Sequence, residues 1–311
     1  MSSEDAADST SECKDVPVYV RSGVLPAADR TEVQSSLLEA CRLGSLDRLR
    51  ELVRRGELTA EHVRREGSLP LACAFGQLDV AQWLRATFAL TADDARVRGC
   101  AALRWACYGG HLATARWLRA TFALDAADAR TANNWALRWS CARGHLATAQ
   151  WLRAAFNLGP RDARSCDGWA LRVTCANGDL QVARWLHREF ALTADDARAR
   201  GREALRWALE RRRFDVAGWL QATFETAPRD RAAARRGALV WACAAGRLDV
   251  VEWLAGDGLL TDADVGAARS AAHGHRPVLE WLAATSAATS AATSAARNRT
   301  AVAWRVTVKP N

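Results

Sequence analysis

The sequence predicts an all-α solenoid of about eight helix-turn-helix repeats, and three regularities carry that prediction. The stretch Ala136–Leu152, ALRWSCARGHLATAQWL, repeats the ALRWACYGGHLATARWL found 34 residues earlier. Tryptophan recurs at the same step, as Trp83, Trp117, Trp151, Trp185, Trp219 and Trp253, and Trp281 follows after 28 residues. Glycine keeps pace. Gly76, Gly110, Gly144, Gly178, Gly246 and Gly274 each stand seven residues before a tryptophan, with Arg212 in the slot of the sixth repeat. A fixed period of this length means one supersecondary unit copied and stacked, so a chain long enough for two globular domains reads as one linear array. Eight copies fit between about Gln34 and Ala284, the first a degenerate LLEACRLGSLDRLRELV around Gly44.

Within a repeat, Leu103, Trp105, Ala106 and Cys107 form a short apolar run before Gly110. This suits a buried first helix of two turns, closed by a residue that takes positive φ without a Cβ clash. In HLATARWLRATF, Leu112, Ala115, Leu118 and Phe122 recur at three and four spacing, which predicts a longer amphipathic second helix. The links LTADDAR (Leu90–Arg96), LDAADAR (Leu124–Arg130), LGPRDAR (Leu158–Arg164) and LTADDAR (Leu192–Arg198) open with Thr91, Asp125 and Thr193 as N-caps. Acids in the first turn suit the helix dipole, so a short third helix is expected there.

Composition bounds the class. Half the residues are apolar, enough for a long continuous core, and no apolar run approaches the roughly 20 residues that span a bilayer. The N-terminal MSSEDAADSTSECKD lacks the regions of a secretory signal, so an intracellular location, cytoplasmic or nuclear, is expected. The net charge of +8 rests on 43 basic residues, all arginine but Lys14 and Lys309. With no isoleucine and abundant alanine and glycine, this reads as the bias of a GC-rich coding sequence, a weak pointer to nucleic acid. Of nine cysteines, Cys41, Cys73, Cys107, Cys141, Cys175 and Cys243 stand three residues before the glycine column. Stacked repeats lie about 10 Å apart, beyond the roughly 7 Å at which cysteine α-carbons can be bridged. Core thiols in a reducing compartment follow.

The helix–Gly–His–helix order resembles the ankyrin repeat, whose family pattern runs TPLHxAAxxGHxxxVxxLL. Leu103, Ala106, Gly110, His111 and Leu118 match in place, and Leu137, Cys141, Gly144, His145 and Leu152 match one repeat later. The likeness covers roughly the whole array. The family's TP pair becomes Ala101–Ala102, Trp135–Ala136, Trp169–Ala170 and Glu203–Ala204, and its histidine becomes Arg104, Arg138, Arg172 and Arg206. The family's threonine–histidine hydrogen bond is therefore expected to be lost. Phe88, Phe122, Phe156, Phe190 and Phe224 stand where a glycine would introduce the β-hairpin. The resemblance thus implies an all-helical variant, short third helices replacing regular hairpins, akin to divergent arrays of protists and their large DNA viruses, with a host-cell location if viral. Tetratricopeptide repeats share the period but place glycine inside the first of two longer helices.

The Trp83–Trp281 column and a second one, Trp105, Trp139, Trp207 and Trp241, are expected in the core. A buried aromatic removes about 150–250 Å² from water, an upper limit of about 4–6 kcal/mol each. Trp135 and Trp169 differ, because they precede the first helix in two repeats only and follow the polar TANN and SCDG. With Asn133, Asn134 and Asp167 they are the first candidates for a partner-contacting surface. Phe75, Tyr108, Arg143, Asn177 and Arg211 vary between repeats at the first-helix end, on the face expected to be concave and to bind.

A second candidate is the stretch Arg198–Arg236, with eleven arginines (Arg198, Arg200, Arg202, Arg206, Arg211, Arg212, Arg213, Arg229, Arg231, Arg235 and Arg236) against Glu203, Glu210, Asp215, Glu225 and Asp230, a net +6. It would suit an acidic partner or nucleic acid. Arg212, in a glycine slot, is expected in the left-handed region at roughly 1 kcal/mol. His62, His111, His145, His187, His273 and His275 share no metal-ligand spacing. CxxC, HExxH, P-loop and GxGxxG motifs are absent from the sequence. No catalytic residue, metal or cofactor is expected. The chain reads as a monomeric, non-enzymatic scaffold for an unidentified protein partner, without membrane contact, and nucleic acid is the runner-up. Residues 1–33, net −4, are expected to be disordered, with VPVYV pairing against the first repeat, and 285–311 to be a low-complexity linker and tail in which AVAWRVTV adds a strand to a partner.

Overall fold

The computed structural model describes residues 32–225, 228–256 and 261–285. The segment before residue 32, most of the AATS run and the AVAWRVTV tail lie outside the described residues. Regular structure among the described residues is entirely helical, in an α-solenoid arrangement of repeats. The first described helix begins at Glu32. Contacts divide the chain into a block ending at Trp207 and a block beginning at Ala208.

The first block opens with α1 (Glu32–Leu43), α2 (Leu46–Arg54) and α3 (Ala60–Arg65), the first, second and third helices of repeat one. Next come α4 (Ser68–Ala74) and α5 (Leu78–Phe88), then α6 (Ala92–Tyr108), which joins a third helix through a kink to the following first helix. The pattern continues through α7 (Leu112–Phe122), α8 (Ala126–Ala129), α9 (Thr131–Ala142), α10 (Leu146–Phe156), α11 (Pro160–Ala163), α12 (Ser165–Asn177) and α13 (Leu180–Phe190). It reaches α14 (Ala194–Glu210), which contains the block boundary. First helices pack in succession, α1 on α4, α4 on α6, α6 on α9 and α9 on α12. The second block holds α15 (Phe214–Phe224), α16 (Pro228–Ala244), α17 (Leu248–Gly256), α18 (Asp262–Ala271) and α19 over residues 276–285.

The cysteine column occupies the centre of the first-helix layer. Cys41, Cys73, Cys107, Cys141, Cys175 and Cys243 are fully buried, and all eight described cysteines are free thiols. Burial pushes the Cys41 thiol up to about 12 and that of Cys243 to about 11. The second-helix tryptophans sit less deep than expected. Trp83, Trp117, Trp151, Trp219 and Trp253 are half-buried, while Trp185 is buried. Trp83, Trp117, Trp151, Trp185 and Trp219 each stand edge-on to the phenylalanine five residues later, at centroid distances of 5.4–5.8 Å. After that phenylalanine, Ala89, Ala123, Asn157 and Ala191 take φ between 47° and 50° without being glycine. The strain is offset by the next residue: Leu90, Leu124, Leu158 and Leu192 are buried, and their N–H groups donate back to the second helix in a Schellman-type close.

Third helices form as expected, and in the first block those after α3, where His62 stands instead, carry a dual-purpose aspartate. Asp94, Asp128, Asp162 and Asp196 accept from the backbone N–H of Thr91, Asp125, Gly159 and Thr193 at 2.7–3.0 Å, closing the helix start. The same carboxylates receive an arginine from the previous repeat: Arg64–Asp94 at 2.8 Å, Arg96–Asp128 at 3.0 Å, Arg130–Asp162 at 2.8 Å and Arg164–Asp196 at 2.7 Å. Arg236–Asp264 repeats the pair in the second block at 2.7 Å. Each of the four arginines also reaches the carbonyl of the left-handed cap or, for Arg64, of Phe88.

Between repeats, glycine and histidine interlock. Gly110 has φ +73°, and a Cβ there would lie 2.6 Å from Nδ1 of His145, one repeat on; at Gly76 the obstacle is His111 at 2.4 Å. His111 and His145 donate through Nε2 to the carbonyls of Ala74 and Tyr108 at 3.1 and 3.0 Å, filling acceptors that a helix end leaves open. Gly110→Ala should therefore lose about 2–4 kcal/mol by adding left-handed strain to overpacking. In a His145→Ala background the same substitution should lose only about 1 kcal/mol. Chemical denaturation of the four variants measures this, and strict additivity would dismiss the interlock.

Acid should act on the aspartate ladder. Burial raises the Asp128 and Asp162 carboxyls, but the facing guanidinium and the helix-start N–H outweigh it and hold both below the ordinary value. Arg247, aided by Arg212, holds Asp249 down at about 2 against burial. The unfolded chain binds more protons below about pH 4, so this stabilisation is complete above that range and is lost as pH falls through the folded values. Tm should decline between about pH 4 and about pH 2, and Asp128→Asn should flatten that decline while lowering Tm at neutral pH.

Candidate interaction surface

The segment carrying Asn133, Asn134 and Trp135 lies between a third helix and the next first helix, and its backbone is a turn of left-handed helix. Ala132, Asn133 and Asn134 have φ of 50°, 56° and 60°. Cys166, Asp167 and Gly168 repeat the turn, as do Arg98, Gly99 and Cys100. Three successive left-handed residues strain the chain by roughly 1–2 kcal/mol for each non-glycine. The arginine in the place of the ankyrin histidine stabilises the turn. Arg138 donates from Nε to the Asn133 carbonyl at 2.8 Å and from Nη2 to that of Ala132 at 3.2 Å. Arg172 does the same to Asp167 and Cys166 at 3.2 and 2.9 Å, and Arg104 reaches the Arg98 carbonyl at 2.7 Å.

These guanidinium planes lie over the tryptophans. Arg104 stacks over Trp135 at 5.3 Å, and Arg138 over Trp169 at 5.1 Å. Trp135 and Trp169 are therefore 1% and 2% exposed, and the solvent exposure on which their candidacy rested is not found. They belong to an aromatic spine with Trp105, Tyr108, Trp139 and Trp207. Ring centroids are 4.8 Å apart for Trp105–Trp135, 5.6 Å for Trp135–Trp139 and 5.0 Å for Trp139–Trp169. In the next repeat Glu203 replaces tryptophan and ion-pairs with Arg172, itself 1% exposed and 5.5 Å over Trp207. The pairing was legible in sequence only by comparing an arginine with the residue 31 positions on: Arg104 with Trp135, Arg138 with Trp169, Arg172 with Glu203.

Of the polar candidates here, Asn134 is buried, whereas Asn133 and Asp167 are exposed at the middle of their turns. At the first-helix ends, Tyr108 is buried and Phe75 half-buried against the spine. Asn177 donates its amide to the Ala142 carbonyl at 2.6 Å, the role His111 and His145 have elsewhere, so it fastens repeats together. Arg143 is exposed and lies 5.0 Å over the Tyr108 ring. Arg211 is half-buried in the second block.

Part of the basic stretch is ion-paired in place. Arg212, held at φ 59° as expected of a residue in a glycine slot, pairs with Asp249 at 2.6 Å, and Arg236 pairs with Asp264. Arg200 and Arg206 approach Glu203 at 3.7 and 3.4 Å, and Arg198 approaches Asp195 at 3.8 Å. Arg202 and Arg235 are engaged as well, and Arg231 donates to the Glu225 carbonyl, while Arg213 and Arg229 are exposed. Charge pairing with the following repeat accounts for Arg212 and Arg236 of this run.

Among the described residues no group of three His, Cys, Asp or Glu is placed to hold a metal ion, and no helix is long and apolar enough to cross a membrane. The Arg172–Glu203 pair offers a direct test of the spine. Arg172→Ala should destabilise the chain by about 3–5 kcal/mol, because it takes from the Glu203 carboxylate its nearest cation and leaves the left-handed carbonyls uncapped. Arg172→Lys should rescue little, since an ammonium cannot fork to two carbonyls and stack on an indole. Denaturant unfolding of both variants, and of Arg172→Ala/Glu203→Ala, reads this out; recovery of the wild-type midpoint by lysine would contradict it.

No protein-family model matches the chain, and no curated protein does. Among solved structures, the chain is similar to an ankyrin repeat family protein from Legionella pneumophila, at 16% identity and a TM-score of 0.35, over 81% of this chain and 69% of that one.

Proposed function

We propose that the chain is a non-catalytic scaffold or adaptor that binds a protein partner through its first helices and the left-handed turns before them. The observation that carries this reading is a division of labour among equivalent positions. Side chains capable of chemistry are used in stacking: the column thiols are buried, His111 and His145 bond the preceding repeat, and the third-helix aspartates Asp94, Asp128, Asp162 and Asp196 are ion-paired. Exposed positions instead differ between repeats, with Gly99, Asn133 and Asp167 in the middle of successive turns and Arg143 at a first-helix end. Constant stacking with variable display is how a repeat array acquires specificity. The free thiols support a reducing, intracellular setting, cytoplasmic or nuclear.

A pull-down from cell lysate with Arg143→Ala and with Asn133→Gly/Asp167→Gly tests the reading. Glycine keeps the left-handed backbone while removing the side chain. A protein held by the wild type and released by either variant is the expected result. Recovery of nuclease-sensitive material that depends on Arg213 and Arg229 would favour nucleic acid instead.

A further inference from the structure

Outside the Arg198–Arg236 stretch, a row of exposed arginines runs along the second helices of the first block. Helices α5, α7, α10 and α13 carry six arginines, Arg85, Arg116, Arg119, Arg153, Arg184 and Arg188, against two acids, Asp79 and Glu189. Glu189 is taken by Arg153 at 3.1 Å. The other five arginines are exposed, and none has an acidic partner among the described residues. These helices are contiguous: Arg85 lies 5.9 Å over Phe122 of the next repeat, Arg119 lies 5.3 Å over Phe156, and Arg153 lies 5.8 Å over Phe190. Stacking holds the first two guanidinium planes in place with hydrogen-bonding edges still open. Half-buried Trp83, Trp117 and Trp151 add an apolar edge in three of the four helices.

We infer that this second-helix face docks an extended acidic polypeptide segment with apolar residues among its carboxylates. The apolar part of the face is nearly the same from one repeat to the next, LATARWLRATF followed by LATAQWLRAAF with Gln150 in the place of Arg116, so it suits a partner of regular, simple sequence. Packed helices repeat at about 8–10 Å, and three residues of an extended chain advance about 10 Å, so one carboxylate in three residues meets one repeat. A nucleic-acid strand in a duplex carries a phosphate about every 3.4 Å, and five unpaired arginines spread over four repeats, none of them in α10, would leave many of those charges unmatched. The planar guanidinium binds carboxylate in bidentate fashion, which favours arginine here. This surface is separate from that of the first helices, and its test stands whether or not that reading holds.

The probe is a fluorescently labelled peptide of repeating Glu-Leu-Ser, titrated with the full chain by anisotropy at low and at near-physiological salt. Arg116→Glu/Arg184→Glu should weaken binding at least about tenfold. A control of equal charge change on exposed arginines elsewhere, Arg161→Glu/Arg269→Glu, should change it less than about twofold. Circular dichroism checks that both variants fold, and Arg116→Gln/Arg184→Gln serves if the glutamates disturb the array. Absence of peptide binding by the wild type, equal weakening by the control, or stronger binding of an oligothymidylate of equal charge would each overturn the inference.

Discussion

A helix that stops leaves its last carbonyls without partners, and in this chain the next repeat supplies many of them. Ala74, Tyr108 and Ala142 offer carbonyls that His111, His145 and Asn177 fill, Gln77 does the same for Arg42, and in the second block His275 serves Ala244. The glycine column exists to let those side chains approach, since a Cβ at Gly76, Gly110 or Gly246 would strike the incoming imidazole. The buried thiols and small first-helix residues follow from the same constraint. Repeats held this closely leave room for little more than alanine or cysteine in the layer between them.

The periodic layer was legible in the sequence. Glycine and leucine columns defined both helices of each repeat, and the ADDAR-type links defined the third, because helix starts have a local chemistry. The charge ladder was harder to see, since Asp128 reads locally as a cap and only the fold shows that Arg96 also reaches it. The left-handed turns were less legible still. TANN contains no glycine, and although its asparagines tolerate positive φ, its text does not announce three such angles in a row. They hold because Arg138 binds their carbonyls from within the following helix, a contact set by tertiary packing rather than by propensity.

Trp135 and Trp169 show how the same blindness misplaced a surface. Polar neighbours made them look solvent-facing, yet the left-handed turn rotates each ring inward beneath an arginine. What remains outside at that place is the middle of the turn, Asn133 and Asp167. The basic stretch shows the limit of reading charge along the chain. Counting arginines along the chain could not anticipate that Asp249 and Asp264, well downstream, would meet Arg212 and Arg236.

The staggered bonding of the first block bears on how such a chain can change length over evolutionary time. In α6, α9 and α12 each arginine belongs to one repeat and its tryptophan, glutamate or aspartate to the following one, so every repeat carries half of two joints. A tandem duplication of the segment from Ala102 to Trp135 would deliver both halves of a new joint in register. A deletion of one codon within it would misalign the arginine cap, the aspartate ladder and the imidazole clasp together. Whole-repeat gain or loss is thus a small step for this architecture and single-residue slippage a large one, which accounts for two neighbouring copies remaining close to verbatim.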